Sequence, residues 1–413
     1  MNGKIRLAIV VTHPIQYYVP LYRALAQIGA FDVVVFYGSR IGLESFHDIE
    51  MGVEIKWKMD LLGGYRSVFL PEADRIKTVS FRSVNNPGVG AALAAFRPDV
   101  MLIHGYAVIT VLKALAWARA RGVPAIMTSD SSTHVSSGRW RLHVKKITVP
   151  LLFRQFSAFL TMSDKSEDYL MAFGVPRALM FRLPMLVDEV FWKVRENRAK
   201  EWASIRGSLG IGEDELTVAY VGKLYSGKRV YDLIEALARI RSEAAVRPSL
   251  RLLVVGDGGQ RRELERLAKT AKVPASFVGF VNVDEVPGYY AAADILVHPA
   301  ELEQYGMVAL EAAIVGVPLI MSDRVGAVGP SSIARSGENT IVYPCGHVSA
   351  LADSIRSLAD DPSLRARMGN ASLRISAEHD GKKSVAAVLA AARYALVRRT
   401  ERSHGIQADD STD

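Results

Sequence analysis

Residues 294–323 read DILVHPAELEQYGMVALEAAIVGVPLIMSD. The run DILVHP (294–299) is apolar on consecutive residues. Gly306 then opens GMVALEAAIVG (306–316), a stretch of helical composition, and Gly316, Val317 and Pro318 end it just before a second apolar run, VPLIMSD (317–323). A helix that stops on glycine and hands over at once to a short apolar run predicts a strand–helix–strand unit. Its two strands are parallel, and helices cover both faces of the sheet, which is why the strands do not alternate polar and apolar residues.

The same alternation runs outward in both directions. LTVAYVG (216–222), LRLLVVG (250–256) and ASFVGF (275–280) are predicted strands, separated by helices over 230–244, 259–271 and 285–293. In the first half, LAIVV (7–11), FDVVVFYG (31–38), DVMLIHG (99–105), PAIMTS (124–129) and FSAFLTMS (156–163) are predicted strands, with a helix over 109–122. The expected fold class is therefore α/β, with two Rossmann-like domains facing each other across a cleft. The first covers 1–189 and the second 190–378, with 190–215, where the pattern breaks and charge rises, as the linker. A last helix over 379–399 is placed to cross back to the first domain, and the polar stretch 400–413 is expected to be disordered.

Composition narrows the partners. The chain of 413 residues has 51 Lys and Arg against 43 Asp and Glu, a formal charge of +8. That favours anionic partners: phosphates, nucleic acid or acidic lipid. No nucleic-acid motif is recognisable, so that class ranks last. The single cysteine, Cys345, permits no intrachain disulfide or cysteine metal site and fits a reducing compartment. The apolar stretch after Lys4 and Arg6 is too short for a signal-peptide core, and no apolar run approaches the roughly 20 residues of a membrane span. A cytoplasmic location is expected, with a peripheral place on the inner face of a membrane left open.

In sheets of this kind ligands bind beyond the carboxyl ends of the strands. After the strand 294–299, Glu303 falls in the loop and Glu311 about one and a half turns into the helix. The free N–H groups of Gly306, Met307 and Val308 point back into the cleft, where a helix start favours a phosphate. Glu311 is then placed to accept hydrogen bonds from vicinal hydroxyls such as those of a ribose. The alternative is an exposed loop glutamate and a surface helix glutamate. Lys223 and Lys228 follow Gly222 at another strand end, and Gly256 ends the strand after that; two surface lysines and a tight turn are the alternatives there.

Glu303, the pair Tyr305-Gly306, Glu311, Gly316 and Pro318 together resemble the signature of the retaining glycosyltransferases of family four, which have the GT-B fold. The stretches AYVGKLYSGKRVYDLIEAL (219–237) and LLVVGDGGQRRELERLA (252–268) extend the resemblance. It implies that Glu303 binds donor-sugar hydroxyls near the reacting centre, that Glu311 binds the nucleotide ribose, and that the amides of Gly306, Met307 and Val308 hold the diphosphate. Gly222 and Gly256 line the same donor side. Lys223 and Lys228 would neutralise the charge that grows on the diphosphate as the glycosidic bond breaks, so no metal and no cofactor beyond the nucleotide-sugar co-substrate is expected.

The first domain departs from the family. Its first strand is followed by THPIQYY (12–18) where a glycine-rich loop is common, Ser129 stands where a histidine is usual, and Met185 where an asparagine is usual. His13, closing strand one, is a catalytic candidate; Gln16, His104 and Asp130 are acceptor-side candidates, with His134 nearby. The alternatives are structural histidines, a helix-capping aspartate, and Tyr17 and Tyr18 packing the helix on the sheet. A further candidate surface is 137–154, SGRWRLHVKKITVPLLFR. There Trp140, Val144, Ile147 and Leu151 share a helical face, with basic residues mostly off it, as suits an anionic membrane surface; the alternative is a helix packed on the sheet. The expected function is retaining transfer of a sugar from a nucleotide-diphosphate sugar to a glycan or lipid-linked acceptor, in polysaccharide or glycoconjugate synthesis. A non-catalytic nucleotide-sugar-binding protein is the alternative.

Overall fold

The computed structural model describes residues 3–48, 51–128, 139–243 and 249–403. The chain forms β1 (Ile5–Val11), β2 (Phe31–Tyr37), a small antiparallel hairpin of β3 (Phe46–Asp48) and β4 (Val53–Ile55), then β5 (Arg66–Phe69), β6 (Val100–His104), β7 (Ala125–Thr128), β8 (Ala158–Thr161) and β9 (Met180–Arg182). Apart from the hairpin these make a seven-stranded parallel sheet in the order β5-β2-β1-β6-β7-β8-β9. A second parallel sheet follows from β10 (Glu215–Val221), β11 (Ser249–Val255), β12 (Ala275–Gly279), β13 (Ile295–His298), β14 (Leu319–Ser322) and β15 (Thr340–Tyr343), in the order β12-β11-β10-β13-β14-β15. The protein is thus two parallel-sheet, Rossmann-like α/β layers.

Both faces of each sheet are covered, as the unbroken apolar runs require. Leu7, Ile9 and Val11 of β1 pack on one side against Leu21 and Leu25 of the helix Val19–Gln27. Ala8 and Val10 pack on the other against Val89 and Leu93. Strand order reverses between β1 and β6 in the first sheet and between β10 and β13 in the second. Crossover helices leave to opposite faces at these points, which opens a crevice at the strand ends. The loops at the two crevices are those beginning at Thr12, Gly105, Gly222 and Pro299.

Two stretches are more regular than their sequence implies. The charged segment after residue 183 contains two helices, Glu189–Glu196 and Arg198–Ser208. Asp188 caps the first by accepting from the Val190 N–H. Arg206 of the second is 2% exposed; its guanidinium donates to Thr217 Oγ1 at 2.8 Å, to Asp294 Oδ2 at 3.1 Å and to the Glu215 carbonyl. The last helix runs from Gly381 to Ser403, four residues past the expected end, with no glycine or proline between Lys382 and Ser403 to stop it. Residues 404–413 lie outside the described residues. This helix buries Val385, Val388, Ala391, Ala392 and Ala395 in the core of the first sheet. Its start is fastened where the chain leaves that sheet: Ser384 Oγ donates to the Pro184 carbonyl at 2.8 Å, and His379 Nδ1 lies 3.1 Å from the Met185 carbonyl oxygen.

The two sheets are also joined beside the cleft. Asp164 opens the helix after β8, and its carboxylate accepts from the Ser331 N–H at 2.9 Å, the Ser332 hydroxyl at 2.8 Å and Arg182 at 2.8 Å. Burial alone would raise its pKa; the bonds to Ser331, Arg182 and Ser332 outweigh that and hold it well below the usual carboxylate range. A β-carbon at Gly329 would fall 2.1 Å from Asp164 Oδ2. Gly329→Ala should therefore lower unfolding stability by about 1–3 kcal/mol through the displaced carboxylate and its lost partners. In urea titrations it should be far less than additive with Asp164→Ala; full additivity would mean the two do not share the junction.

Candidate active site

The crevice of the second sheet is built around one carboxylate. After β13 the chain turns at Gly306, φ 97°, into the helix Met307–Ile314, whose first N–H groups no side chain caps. A β-carbon at Gly306 would sit 3.2 Å from Glu303 Cγ and 3.1 Å from Val325 Cγ1, so the turn can fold Glu303 back over the strand end only with glycine there. Glu303 Oε2 accepts from Lys228 Nζ at 2.5 Å and lies 3.0 Å from His298 Nε2. Burial would push this carboxyl up. Hydrogen bonds from His298 and Lys228, with the charge of Lys228, overcome it and hold the pKa down at about 2. His298 is 1% exposed and stacks on Tyr220, ring centres 5.9 Å apart. Burial lowers its pKa, so at neutral pH the imidazole is neutral and donates from Nε2 to the glutamate. Its Nδ1 is buried with no partner among the described residues.

Lys228 and Lys223 arrive on the loop after β10. That loop lies against the end of β11 because glycines let the backbones meet: a β-carbon at Gly256 would be 1.9 Å from the Gly222 carbonyl oxygen. Gly222 N–H donates to the Val255 carbonyl at 2.9 Å, and Leu224 N–H to that of Asp257 at 2.8 Å. The Tyr220 hydroxyl donates to the Lys223 carbonyl at 2.8 Å. The Lys223 ammonium reaches across the cleft to Asp48 at the end of β3, 2.9 Å away. One turn into the helix after Gly306, Glu311 is 8% exposed and accepts from the Tyr290 hydroxyl at 2.5 Å. Burial outweighs that single bond and raises its pKa to about 7.

The loop after β1 faces these groups. Pro20 starts the helix Val19–Gln27, and Gln16–Tyr18 form one turn of 3-10 helix before it. The Tyr17 phenol has its pKa raised, first by desolvation and then by the charges of Glu311 and Glu303. Gln16 Oε1 is buried with no partner among the described residues. His13 Nδ1 lies 2.8 Å from Thr12 Oγ1, and burial lowers its pKa to about 4.

The chain thus brings Glu303, Lys223, Lys228, Glu311, Gly306, Met307, Val308, Gly222 and Gly256 to one crevice, with His13 and Gln16 on the loop opposite. His104 is turned into a tyrosine cluster instead: its Nε2 lies 3.1 Å from the Tyr22 hydroxyl and its ring meets Tyr18 edge-on at 4.2 Å. Burial lowers its pKa to about 3. Asp130, Ser129 and His134 lie outside the described residues. Cys345 is half-buried and its thiol is pushed up by burial, away from reactivity. Sequence reasoning missed His298, Tyr290 and Asp48. A histidine in the otherwise apolar run ILVH was a usable signal; nothing local marks Asp48.

Comparison with known proteins finds matches over most of the chain. Residues 203–374 match the family model of glycosyl transferases group 1, and residues 14–185 that of a glycosyl transferase 4-like domain. The alpha-D-kanosaminyltransferase of Streptomyces kanamyceticus is 27% identical over 327 residues, 77% of this chain and 74% of that one. A glycogen synthase of Mycobacterium tuberculosis is 29% identical over 317 residues, 75% and 71% of the two chains. The crystal structure of Anabaena HepE in complex with UDP and glucose superposes with a TM-score of 0.65 at 16% identity, covering 94% of this chain and 98% of that one, a likeness of GT-B fold.

Because the Glu311 carboxyl titrates near 7 when folded and at 4.5 as a free side chain, the folded state holds its proton more tightly than the unfolded one. Its contribution is most favourable below pH 4.5 and is lost as pH rises to 7. Glu311→Gln should therefore raise stability at pH 8, by on the order of 3 kcal/mol, and hardly at all at pH 4. Equal effects at both pH values in denaturant titrations would refute the assignment.

Proposed function

This chain belongs to the group 1 glycosyltransferases, and we propose that it transfers a sugar from a nucleotide-diphosphate donor to a glycan or lipid-linked acceptor with retention at the anomeric carbon. The product would enter polysaccharide or glycoconjugate synthesis. One observation carries the reading: Glu303 is kept ionised between Lys228 and His298 beside an uncapped helix start, with Glu311 buried behind it.

In this reading the diphosphate lies on the amides of Gly306, Met307 and Val308 and draws Lys223 away from Asp48. Glu311 accepts hydrogen bonds from the ribose, and Glu303 from the hydroxyls of the transferred sugar. The bond from the anomeric carbon to the diphosphate oxygen breaks with its electron pair going to that oxygen. The acceptor hydroxyl adds to the carbon on the same face and gives its proton to the departing oxygen. No strong protein base is needed; His13, with its pKa lowered, and Gln16 orient the acceptor as neutral hydrogen-bonding groups. Lys223 and Lys228 stabilise the charge that grows on the leaving group, without a metal ion.

A panel of UDP and GDP sugars, read by thermal shift and by donor hydrolysis, tests the reading; no shift and no hydrolysis with any donor would sink it. Lys223→Ala should lower turnover by about 10²–10³ with the fold intact; unchanged turnover would remove Lys223 from the site. Donor affinity should rise with pH from 6 to 8, because ribose hydroxyls need the ionised form of Glu311, whose pKa is about 7 when the site is free. Both phosphates of a nucleotide sugar are esterified and do not titrate near neutrality, so the dependence reports the protein. It should disappear in Glu311→Gln, measured calorimetrically.

A further inference from the structure

The hairpin of β3 and β4 belongs to the first domain but lies against the second. Phe46 pairs with Ile55 and Asp48 with Val53. Opposed residues of an antiparallel pair point to one face, and so do residues two apart along a strand. Phe46, Asp48, Val53 and Ile55 therefore share a face. Trp57, two residues past Ile55, continues it: its ring centre lies 6.5 Å from that of Phe46. Glu54 and Lys56 take the other face and are exposed. The shared face is turned to the second sheet. Asp48 holds Lys223 at 2.9 Å, and the Trp57 indole meets Phe280 edge-on, ring centres 6.0 Å apart. Asn282 fastens the chain on both sides of Trp57, donating to the Lys56 carbonyl at 2.7 Å and accepting from the Lys58 N–H at 3.1 Å.

This face runs along the donor crevice. On the donor reading above, on which this inference rests, the diphosphate lies at Gly306, Met307 and Val308 and the ribose at Glu311. Glu311 takes its hydrogen bond from Tyr290, on the helix Val286–Ala291. A ribose on Glu311 thus has Gly306 on one side and the approach to that helix on the other. The base leaves the sugar away from the diphosphate, which directs it to the loop 280–285 that leads into the helix. Trp57 stands at that loop, while Asp48 stands at Lys223, the diphosphate end. Val53, the partner of Asp48, and Trp57 are four residues apart, about 13 Å along an extended strand. That is comparable to the reach of an extended nucleoside diphosphate. Trp57 and Phe280 are each half-buried, so aromatic surface stays open at the rim of a polar crevice. A flat, apolar face with one N–H at its edge suits a planar heterocycle.

We propose that Trp57 is the surface on which the donor's nucleobase stacks, so that a first-domain hairpin supplies one wall of a site whose phosphate and ribose partners lie on the second sheet. Stacking reads a π-face that every base has. Trp57 therefore raises affinity for a nucleotide over a base-free diphosphate and does not choose among bases. Calorimetry of the full chain with UDP, GDP and ADP, and with inorganic pyrophosphate as the base-free probe, tests it. Trp57→Ala should weaken the tightest of the three nucleotides by about tenfold, the fold-change of one base–aromatic stack, and leave pyrophosphate binding as in the parent protein. Trp57→Phe should restore most of the loss, since a smaller ring still stacks. If the alanine variant unseats the hairpin, pyrophosphate binding will move as well, and fluorescence then decides. Trp57 is one of five tryptophans, so the signal is the difference between the parent protein and Trp57→Phe, which keeps the aromatic packing. The nucleotide should quench the parent's emission more than that of Trp57→Phe, and pyrophosphate should quench neither. Equal nucleotide affinity in the parent protein and Trp57→Ala, or equal quenching in the parent protein and Trp57→Phe, overturns the stacking and leaves the donor reading in place. Absence of nucleotide binding to the parent protein overturns both.

Discussion

A carboxylate taken out of water at the mouth of a parallel sheet must be paired or it takes up a proton. Glu303 meets that constraint with two partners of different kind. Lys228 supplies a full charge, and His298 supplies an N–H without adding charge because its burial keeps it neutral. Each partner needs support. His298 is held flat by Tyr220, and the hydroxyl of the same tyrosine holds the Lys223 carbonyl. One ring therefore fixes the orientation of the glutamate's donor and the start of the lysine loop. The loop in turn needs Gly222 and Gly256 in contact, since any side chain at Gly256 would collide with the backbone of Gly222.

Glu311, eight residues on, is treated in the opposite manner. It is buried with a single hydrogen bond among the described residues, from a tyrosine hydroxyl, and its charged form is disfavoured. In a resting protein this is a local defect. A polyhydroxyl ligand would repair it by adding hydrogen bonds to the ionised form, so the instability becomes binding selectivity for a group with vicinal donors. The neighbouring carboxylates differ by environment: Glu303 is held ionised, and Glu311 would become charged when a ligand with vicinal donors arrives.

How much of this was legible depended on distance along the chain. The motif 303–318 could be read because its spacing encodes a strand, a turn and a helix start, all local. The short strands Arg66–Phe69, Met180–Arg182 and Thr340–Tyr343 could not, since three or four residues carry too little periodicity. The helices after residue 188 were obscured because charge there suggested solvent, whereas Arg206 is buried by bonds to residues as distant as Asp294. His104 looked like a site because it ends a strand; only packing reveals that Tyr18 and Tyr22 have claimed it. The Asp48 to Lys223 pair joins residues 175 positions apart, and no local pattern records such a partner. The amphipathic stripe at 147–154 was half visible: the sequence marks a face, but not which side of the helix the core takes.

The two lysines of the crevice differ in how firmly they are held, and this orders events at the cleft. Lys228 and Glu303 are shielded, with side chains 11% and 19% exposed, so separating them would leave an uncompensated charge in a poorly solvated place. Lys223 is 36% exposed, and its bond to Asp48 is correspondingly weakened by water. An entering dianion offers Lys223 more charge than Asp48 does and costs little to accommodate there. The Lys228–Glu303 pair has no comparable reason to part. Asp48 sits on the hairpin whose continuation also crosses the cleft, through the Asn282 carboxamide to the backbone of Lys56 and Lys58. Exchange at Lys223 would loosen the Asp48 contact while the Asn282 bonds, the pairing of Lys58 with Glu285 and the Asp164 junction persist. On the proposed reading, ligand entry would be coupled to the hairpin's tip while the scaffold around Glu303 stays assembled.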